Sequence, residues 1–289
     1  MGIKEKTALY LSKFIPDKMY LRLKSRRILW YCFNFKNPKT YNEKLNWLKI
    51  YDRNPLYTQM VDKYEAKKYI EEKVGREYVI PTIWVWDKFD DIDFSRLPNK
   101  FVLKCNHNSW WNFIVKDKSS LNKSEARETL NQLLKNNFYY QYRERPYKNV
   151  TPKIIAENLL ENDDNSELIE YNIFCFNGIP KIIMTCHGDK RIKRYNDFYD
   201  IDFNKLNLKC NYDNSNIVDV KPINYNKMLT IAERLSKDIP QLRVDLYSCN
   251  WKIYVGELTF FHWAWFCSFE PKKWDKILWD LIVLPRENH

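Results

Sequence analysis

Apolar and polar positions alternate along two stretches near the C-terminal end, residues 242–248 (LRVDLYS) and 252–261 (KIYVGELTFF). Both are rich in β-branched and aromatic side chains and predict strands. Cys249, Asn250 and Trp251 lie between them and predict a turn of two or three residues. The resulting hairpin sets Asp245 opposite Glu257 or one residue off, with Arg243 two positions before Asp245 and so on its face. A second hairpin is predicted from residues 170–176 and 180–186, joined by Asn177-Gly178. Shorter strands are predicted at 81–86, 101–105, 113–116 and 153–157. Residues 1–33 predict one or two helices, and 38–74 are strongly helical. Thr40 or Asn42 caps a helix through Tyr51; Asp62 caps one through Lys73, which Gly75 stops. Further helices are predicted at 124–138, 224–238 and around 274–281, with polar loops at 91–100 and 161–167. Helices and hairpins mix without a regular strand–helix–strand repeat, so the fold class is α+β.

The hairpin carries the chemistry. Cross-strand neighbours sit about 5 Å apart, so two carboxylates there repel. A divalent cation removes that repulsion, and hard oxygen ligands suit Mg²⁺. With Arg243 on the same face the group matches a metal–phosphate site; the alternative is a surface ion-pair ladder. Lys63, Lys104 and Lys116 stand at element ends, where a lysine supplies a point charge for phosphate or simply snorkels. The polar turn after Lys104 offers backbone N–H groups to a phosphate, with His107 as a proton donor or a structural histidine. Glu157 to Glu161 leave a strand edge, a place where backbone groups meet adenine and a carboxylate meets ribose.

Composition narrows the partners. The 289 residues are 45% hydrophobic and 16% aromatic, enough for one large domain or two to three small ones. No apolar run of about 18 residues predicts a transmembrane helix, and the N-terminus has neither a signal-peptide pattern nor a myristoylation motif, Thr7 standing one position late. Seven scattered cysteines without a CxxC pair suit reduced thiols in a cytoplasm. The net charge of +11 fits nucleic acid, anionic lipid or small anionic substrates. Lys18, Arg22, Lys24, Arg26 and Arg27 cluster on a helical stretch, either a peripheral contact with an anionic membrane or a solvated face. A second cluster fills 190–194. No nucleic-acid motif accompanies either, so nucleic acid is not expected as a partner.

The order of the pieces says more than any one of them. YNEKLNWLKIYDRNPLYTQMVDKYEAKKYI, FVLKCNHNS, EYNIFCFNGIPKIIM, RVDLY, GELTFF and EPKKWDKIL follow one another between residues 38 and 285. Together they resemble the ATP-grasp superfamily, and more narrowly the TupA-like ATP-grasp proteins of bacterial cell-surface polysaccharide and teichuronopeptide gene clusters. The resemblance implies an ATP-grasp fold with the nucleotide between two α+β subdomains: a basic helical segment at 1–37, a helical region at 38–100, a small subdomain at 101–160 and a C-terminal subdomain at 161–289. It implies ATP and Mg²⁺ as cofactors, with Lys63 and Lys104 on the phosphates and Ser109 in the covering loop. Glu157, Asn158 and Leu159 would form the adenine hinge, Glu161 the ribose contact, and Asp245 and Glu257 the metal ligands. Arg243 would stabilise the transferring phosphoryl group, and His262 and the 190–194 cluster lie where acceptor contacts belong. The implied activity is a cytoplasmic carboxylate–amine ligase, working through an acylphosphate, on a polysaccharide precursor or on a uronic acid and an amino acid.

The pattern also departs from the family. Thr259 stands where an acid-x-Asn pair is usual, and the resemblance implies glycine where this chain has Trp110, Trp251, Trp265 and Trp279. The chain has only 5 glycines against 11 tryptophans, where ordinary usage gives roughly 20 glycines. A gene that reads UGA as glycine, translated with UGA as tryptophan, would explain both; genuine tryptophans would instead mark a degenerate or repurposed nucleotide site. A glycosyltransferase is the other alternative, but Asp90, Asp91 and Asp93 lie in a loop without the strand support of an Asp-x-Asp metal motif.

Overall fold

The computed structural model describes residues 12–108, 111–187 and 193–285. Ser109, Trp110 and residues 190–192 of the second basic cluster lie outside the described residues. The helical stretch at 38–74 is not continuous. After α1 (Asp17–Leu29) come α2 (Tyr41–Tyr51), α3 (Leu56–Val61) and α4 (Ala66–Val74). Pro55 at the N-cap of α3 restarts the chain, since proline lacks the N–H that continuing α2 requires. Of the two candidate caps of α2, Thr40 closes a reciprocal capping box with Glu43. Asn42 instead bonds both backbone groups of Cys267, at 2.8 and 3.2 Å. The Asp62 carboxylate accepts from the Tyr64 and Glu65 amides at 2.8 and 3.3 Å, which shapes the turn into α4.

Four antiparallel strands form the small sheet: β1 (Thr82–Trp86), β2 (Phe101–Cys105), β3 (Asn112–Val115) and β4 (Ile154–Glu157), in the order β1-β4-β2-β3. By sheet membership this unit begins at β1, ahead of residue 101. Helix α5 (Lys123–Leu134) packs Ala126 and Leu130 onto Phe101, Leu103 and Ala156.

The large sheet is built from β5 (Glu170–Phe176), β6 (Ile179–His187) and β7 (Tyr195–Tyr199). Next come the two-residue β8 (Lys209–Cys210), α6 (Tyr225–Ser236), β9 (Gln241–Cys249) and β10 (Lys252–Thr259). The large sheet runs β10-β9-β5-β6-β7, every pair antiparallel. Finally β11 (Phe269–Glu270) pairs with β8, and α7 (Lys273–Leu281) closes the described chain. Cys210 and Cys267 are in bonding contact beside that small ladder, with their Cα atoms 6.4 Å apart. The expectation that all thiols are reduced is therefore corrected: 57 residues separate the partners, so no local spacing announced them. No described helix is long and apolar enough to cross a membrane.

The faces of the large sheet divide the labour. Ile173, Ile183, Val244 and Leu246 alternate onto one face, which α6 covers with Met228, Ile231 and Leu235. Directly paired residues share a face, so Glu170 and Asn172 on β5 join Tyr247 and Asp245 of β9 on the other. A bulge at Gly256 keeps the β10 acid on that side, because the register passes from Val255↔Leu246 to Glu257↔Asp245. Any Cβ at Gly256 would lie 2.6 Å from the Tyr247 ring, so the bulge demands glycine.

Both hairpins turn on two residues with positive φ. Asn177 (50°) and Gly178 (80°) supply one, Asn250 (49°) and Trp251 (65°) the other. The second is the geometry that favours Asn-Gly, here occupied by a tryptophan that is 77% exposed. Trp30, 89% exposed, holds the same left-handed conformation at the C-cap of α1. Trp279 differs. It lies inside α7, donates from Nε1 to the Pro38 carbonyl at 3.0 Å and carries the Lys44 ammonium 3.9 Å from its ring centroid. Its surroundings are those of a packed tryptophan rather than of a displaced glycine.

Candidate active site

The β9–β10 hairpin brings Asp245 and Glu257 directly opposite each other. Arg243 grips Asp245 with two parallel bonds, Nε to Oδ1 at 2.6 Å and Nη2 to Oδ2 at 2.5 Å. The guanidinium also donates to Thr259 Oγ1 at 3.1 Å and to His262 Nδ1. Thr259, at the position of the usual asparagine, thus helps to hold the arginine. His262 is buried behind Arg243, edge-on to Phe174 at 5.3 Å. It fixes the guanidinium, whereas the sequence reading gave it a place among acceptor contacts. On the opposite side Lys63 Nζ meets Glu257 Oε1 at 3.1 Å. The Lys63 amide is held by the Asn106 carbonyl at 3.0 Å, and the Asn106 side chain by Asp62 at 2.8 Å.

A third acid completes the group. Glu170 accepts from the Tyr247 hydroxyl at 3.1 Å. Burial pushes the Asp245 carboxyl up; Arg243 pulls it down, but Glu170 and Glu257 add to the rise. Burial also acts upward on Glu257, yet Lys63 and Arg243 outweigh it and hold Glu257 below the ordinary range. The set therefore contains three carboxylates against two cations, all with hard oxygen donors, and each oxygen holding one bond keeps a second lone pair. That donor chemistry and the excess negative charge fit a divalent cation at Asp245 and Glu257.

Across the cleft the small sheet supplies a second charged group. Glu157, 3% exposed, places Oε1 2.7 Å from Lys67 Nζ and Oε2 2.5 Å from Lys104 Nζ. Lys67 is itself anchored to the Ile80 carbonyl at 2.8 Å and Thr82 Oγ1 at 2.5 Å. The Glu157 side chain is therefore committed to lysines. The Asn158 amide is taken by the Pro81 carbonyl at 3.1 Å, which narrows what the expected hinge offers an adenine. Leu159 and Glu161 follow along the cleft wall, and the Glu161 carboxylate bonds Lys100 at 2.6 Å. His107 is structural: Nε2 faces the Leu133 and Asn136 carbonyls at 3.1 and 3.2 Å, and burial lowers its pKa.

Between the two groups lies a cavity of about 540 Å³, walled by Lys63, Lys104 and Lys116 with Asn158, Glu170 and Glu257. Asp245, only 1% exposed, does not itself line the cavity but stands opposite Glu257, which does. Lys63, Lys104, Glu157, Asn158, Leu159, Glu161 and Glu257 all line this one space. Lys67, Glu170 and Tyr247 escaped it. Lys67 is one of many lysines on a polar helix, and Glu170 and Tyr247 meet only through the β5–β9 pairing.

Two sheets clasping a cavity, with lysines on one side and an acid pair backed by arginine on the other, define a protein of the ATP-grasp class. The family model described as TupA-like ATPgrasp matches residues 43–283, and the chain belongs to that family. Similar solved structures include a D-alanine–D-alanine ligase from Bacillus anthracis, 16% identical with a TM-score of 0.41, matched over 70% of this chain and 57% of that one. The ATP-grasp ligase PsnB, complexed with minimal precursor, Mg and ADP, is 9% identical with a TM-score of 0.39, over 75% and 57% of the two chains. N5-carboxyaminoimidazole synthase from Aspergillus clavatus is 13% identical with a TM-score of 0.38, over 70% and 44%. The chain thus matches less than two thirds of the length of each. No curated protein matches it in sequence.

Proposed function

We propose that the protein is an ATP- and Mg²⁺-dependent carboxylate–amine ligase acting on a precursor of a cell-surface polysaccharide. The observation that carries this reading is the Asp245–Glu257 pair, clamped by Arg243 and Lys63 at the edge of a nucleotide-sized cavity. The substrate class is inferred from the likeness of the sequence segments to TupA-like proteins of cell-surface polysaccharide gene clusters. The exposed cations Lys18, Arg22, Arg26 and Arg27 of α1, beside the exposed Met19 and Leu23, suit work at the anionic inner face of the membrane.

In this reading the phosphates of ATP lie toward Lys63 and Lys104. Mg²⁺ held by Asp245 and Glu257 would neutralise phosphate charge. Arg243, fixed by Asp245, Thr259 and His262, presents its guanidinium to the transferring phosphoryl group. Catalysis is then positioning and electrostatics rather than a side-chain nucleophile. The substrate carboxylate displaces ADP from the γ-phosphorus, and an amine displaces phosphate from the resulting acylphosphate. Glu157 holds Lys104 in place, and Lys67 holds Glu157.

Thermal shift with ATP·Mg²⁺ against UDP-sugars tests the reading. Stabilisation by ATP·Mg²⁺ that disappears in Asp245→Asn or Glu257→Gln supports it. Stabilisation by a UDP-sugar alone would point to a glycosyltransferase, and no shift with either would point to a dead nucleotide site.

A further inference from the structure

Among the described residues, one buried group of metal-ligating type stands outside the candidate active site. His187 ends β6, Asp197 lies on β7, and Asp219 comes from the segment between β8 and α6. One nitrogen or oxygen of each lies within 4.8 Å of the other two. The three residues are 5%, 0% and 8% exposed. Strand pairing puts the group on the far side of the large sheet from Asp245. Tyr171 pairs with Leu246 and with Thr185, and Thr185 pairs with Asp197, so all four share the face that α6 covers. His187, two residues after Thr185, shares it too.

The bonds within the group leave particular atoms open. Asp219 Oδ2 accepts from Thr185 Oγ1 at 2.6 Å and from the Tyr199 hydroxyl at 2.8 Å. Asp197 Oδ1 takes the Ser215 amide at 3.1 Å and the Lys205 ammonium at 2.8 Å, while Oδ2 takes the Ser215 hydroxyl and keeps a lone pair. Asp219 Oδ1 and His187 Nε2 stand 2.9 Å apart, yet neither has a hydrogen-bond partner among the described residues. Their contact is close but lacks the alignment of a hydrogen bond. Native proteins keep few buried polar atoms in that state, because each costs free energy. A shared ion removes the cost. Bonds of about 2.0–2.2 Å to Zn²⁺ set tetrahedral ligand atoms roughly 3.3–3.6 Å apart, a spacing that small side-chain rotations reach from the distances present. The charge count agrees. Among the described residues the two carboxylates bond a single ammonium, that of Lys205, so a neutral imidazole leaves one surplus negative charge in a buried place.

We propose that His187, Asp197 and Asp219 bind a first-row divalent cation of the Zn²⁺ type, which clips the segment carrying Asp219 to the edge of the large sheet. An imidazole beside two carboxylates favours such an ion over Mg²⁺, which prefers oxygen ligands and keeps its waters. A closed, buried set suits a structural ion rather than a catalytic one. The clip has a purpose: β7 is the last strand of the sheet, and residues 213–224 beside it form no helix or strand. That segment also exposes Ile217, Val218, Val220 and Ile223, so its hold on the sheet depends on inward side chains such as Asp219. The site is independent of the ligase reading.

The test is metal binding by the full chain, stripped with EDTA and returned to Mg²⁺ buffer so that the hairpin acids are served. Calorimetry should show Zn²⁺ binding. Co²⁺ in its place should give visible d–d absorption without a thiolate charge-transfer band, which separates this site from the free cysteines. Zn²⁺ at a hundredfold excess over its Kd should raise Tm by about 5–11 °C, and it should slow amide exchange across residues 213–224. His187→Gln and Asp219→Asn should each weaken Zn²⁺ at least ~10-fold, and Asp245→Asn should leave its affinity unchanged. Far-UV circular dichroism certifies the fold of each variant; where one fails to fold, the wild-type Co²⁺ spectrum decides. A thiolate band with Co²⁺, an affinity unchanged in both His187→Gln and Asp219→Asn, or an affinity lost in Asp245→Asn overturns the proposal. Wild type that binds no Zn²⁺ overturns it as well, and reduces the group to a His187–Asp219 ion pair.

Discussion

Replacing Glu157 by glutamine should damage the fold more than any exposed charge change, and the geometry says by how much. The carboxylate is 3% exposed and meets one buried ammonium at 2.7 Å and another at 2.5 Å. Glutamine keeps the shape and removes the charge, so Lys67 and Lys104 are left facing each other across a neutral amide. Removing one partner of a buried ion pair costs about 3–5 kcal/mol. At roughly 2–4 °C per kcal/mol for a chain of this size, Tm should fall by about 6–20 °C. Lys67→Met should cost less, since the Glu157–Lys104 bond survives it. The double variant should show a coupling of about 1 kcal/mol or more in a cycle. Burial acts to raise the Glu157 pKa, but Lys104 and Lys67 outweigh it and hold the group below its ordinary value. A depressed carboxyl stabilises the fold above its unfolded pKa of about 4.3, and the benefit fades as pH falls further toward the folded value. The penalty of Glu157→Gln should therefore be full at neutral pH and shrink in acid. Differential scanning fluorimetry from acid to neutral pH checks both points. A Tm within about 1 °C of wild type at neutral pH would refute the buried three-charge arrangement, given that exposed pairs are worth under about 1 kcal/mol.

Three further outcomes are expected. Asp245 behaves in the opposite sense to Glu157: its raised pKa means that folding retains a proton the unfolded chain releases near pH ~4, so stability falls as pH rises through that window. Mg²⁺ with ADP should therefore raise Tm more at pH ~8 than at pH ~5.5, whereas an equal or larger shift in acid would contradict the assignment of Asp245 as a ligand. Trp251→Gly should raise Tm by about 2–8 °C, because a bulky residue in the left-handed region costs about 1–2 kcal/mol and this side chain is mostly solvent-exposed; Trp279→Gly should lower Tm, and reading the codons tests the translation account directly. Arg243→Lys keeps a charge but loses the two-pronged grip on Asp245, so ATP turnover with a competent acceptor should fall at least ~100-fold, while a fall under tenfold would remove Arg243 from the reaction.

What could be read from the residues was whatever neighbours in the chain decide. The Asp245–Glu257 register follows from a two-residue turn and an alternating pattern, and Asn177-Gly178 announced the other hairpin. The break between α2 and α3 was visible in Pro55 but hidden by the helical pattern on either side. β7 was missed because YNDFY places Asn196 and Asp197 inside a sheet, where composition argues against a strand. Its buried acid is satisfied by Lys205 at 2.8 Å and by Ser215, contacts supplied by the loop that follows the strand. Lys67 and Glu170 entered the site through non-local pairing. The Asp245–Glu257 pairing with Arg243 was legible because it is local, whereas Lys67 and Glu170 were not, because their partners are distant in sequence.

The most direct measurement of the central claim is the Mg²⁺ dependence of ADP binding by isothermal titration calorimetry, for wild type and for the Asp245→Asn/Glu257→Gln double variant. Wild type should bind ADP at least tenfold more tightly with Mg²⁺ than with EDTA, and the double variant should bind equally weakly in both. No binding of ADP·Mg²⁺ by wild type, or an undiminished metal dependence in the double variant, would contradict the account.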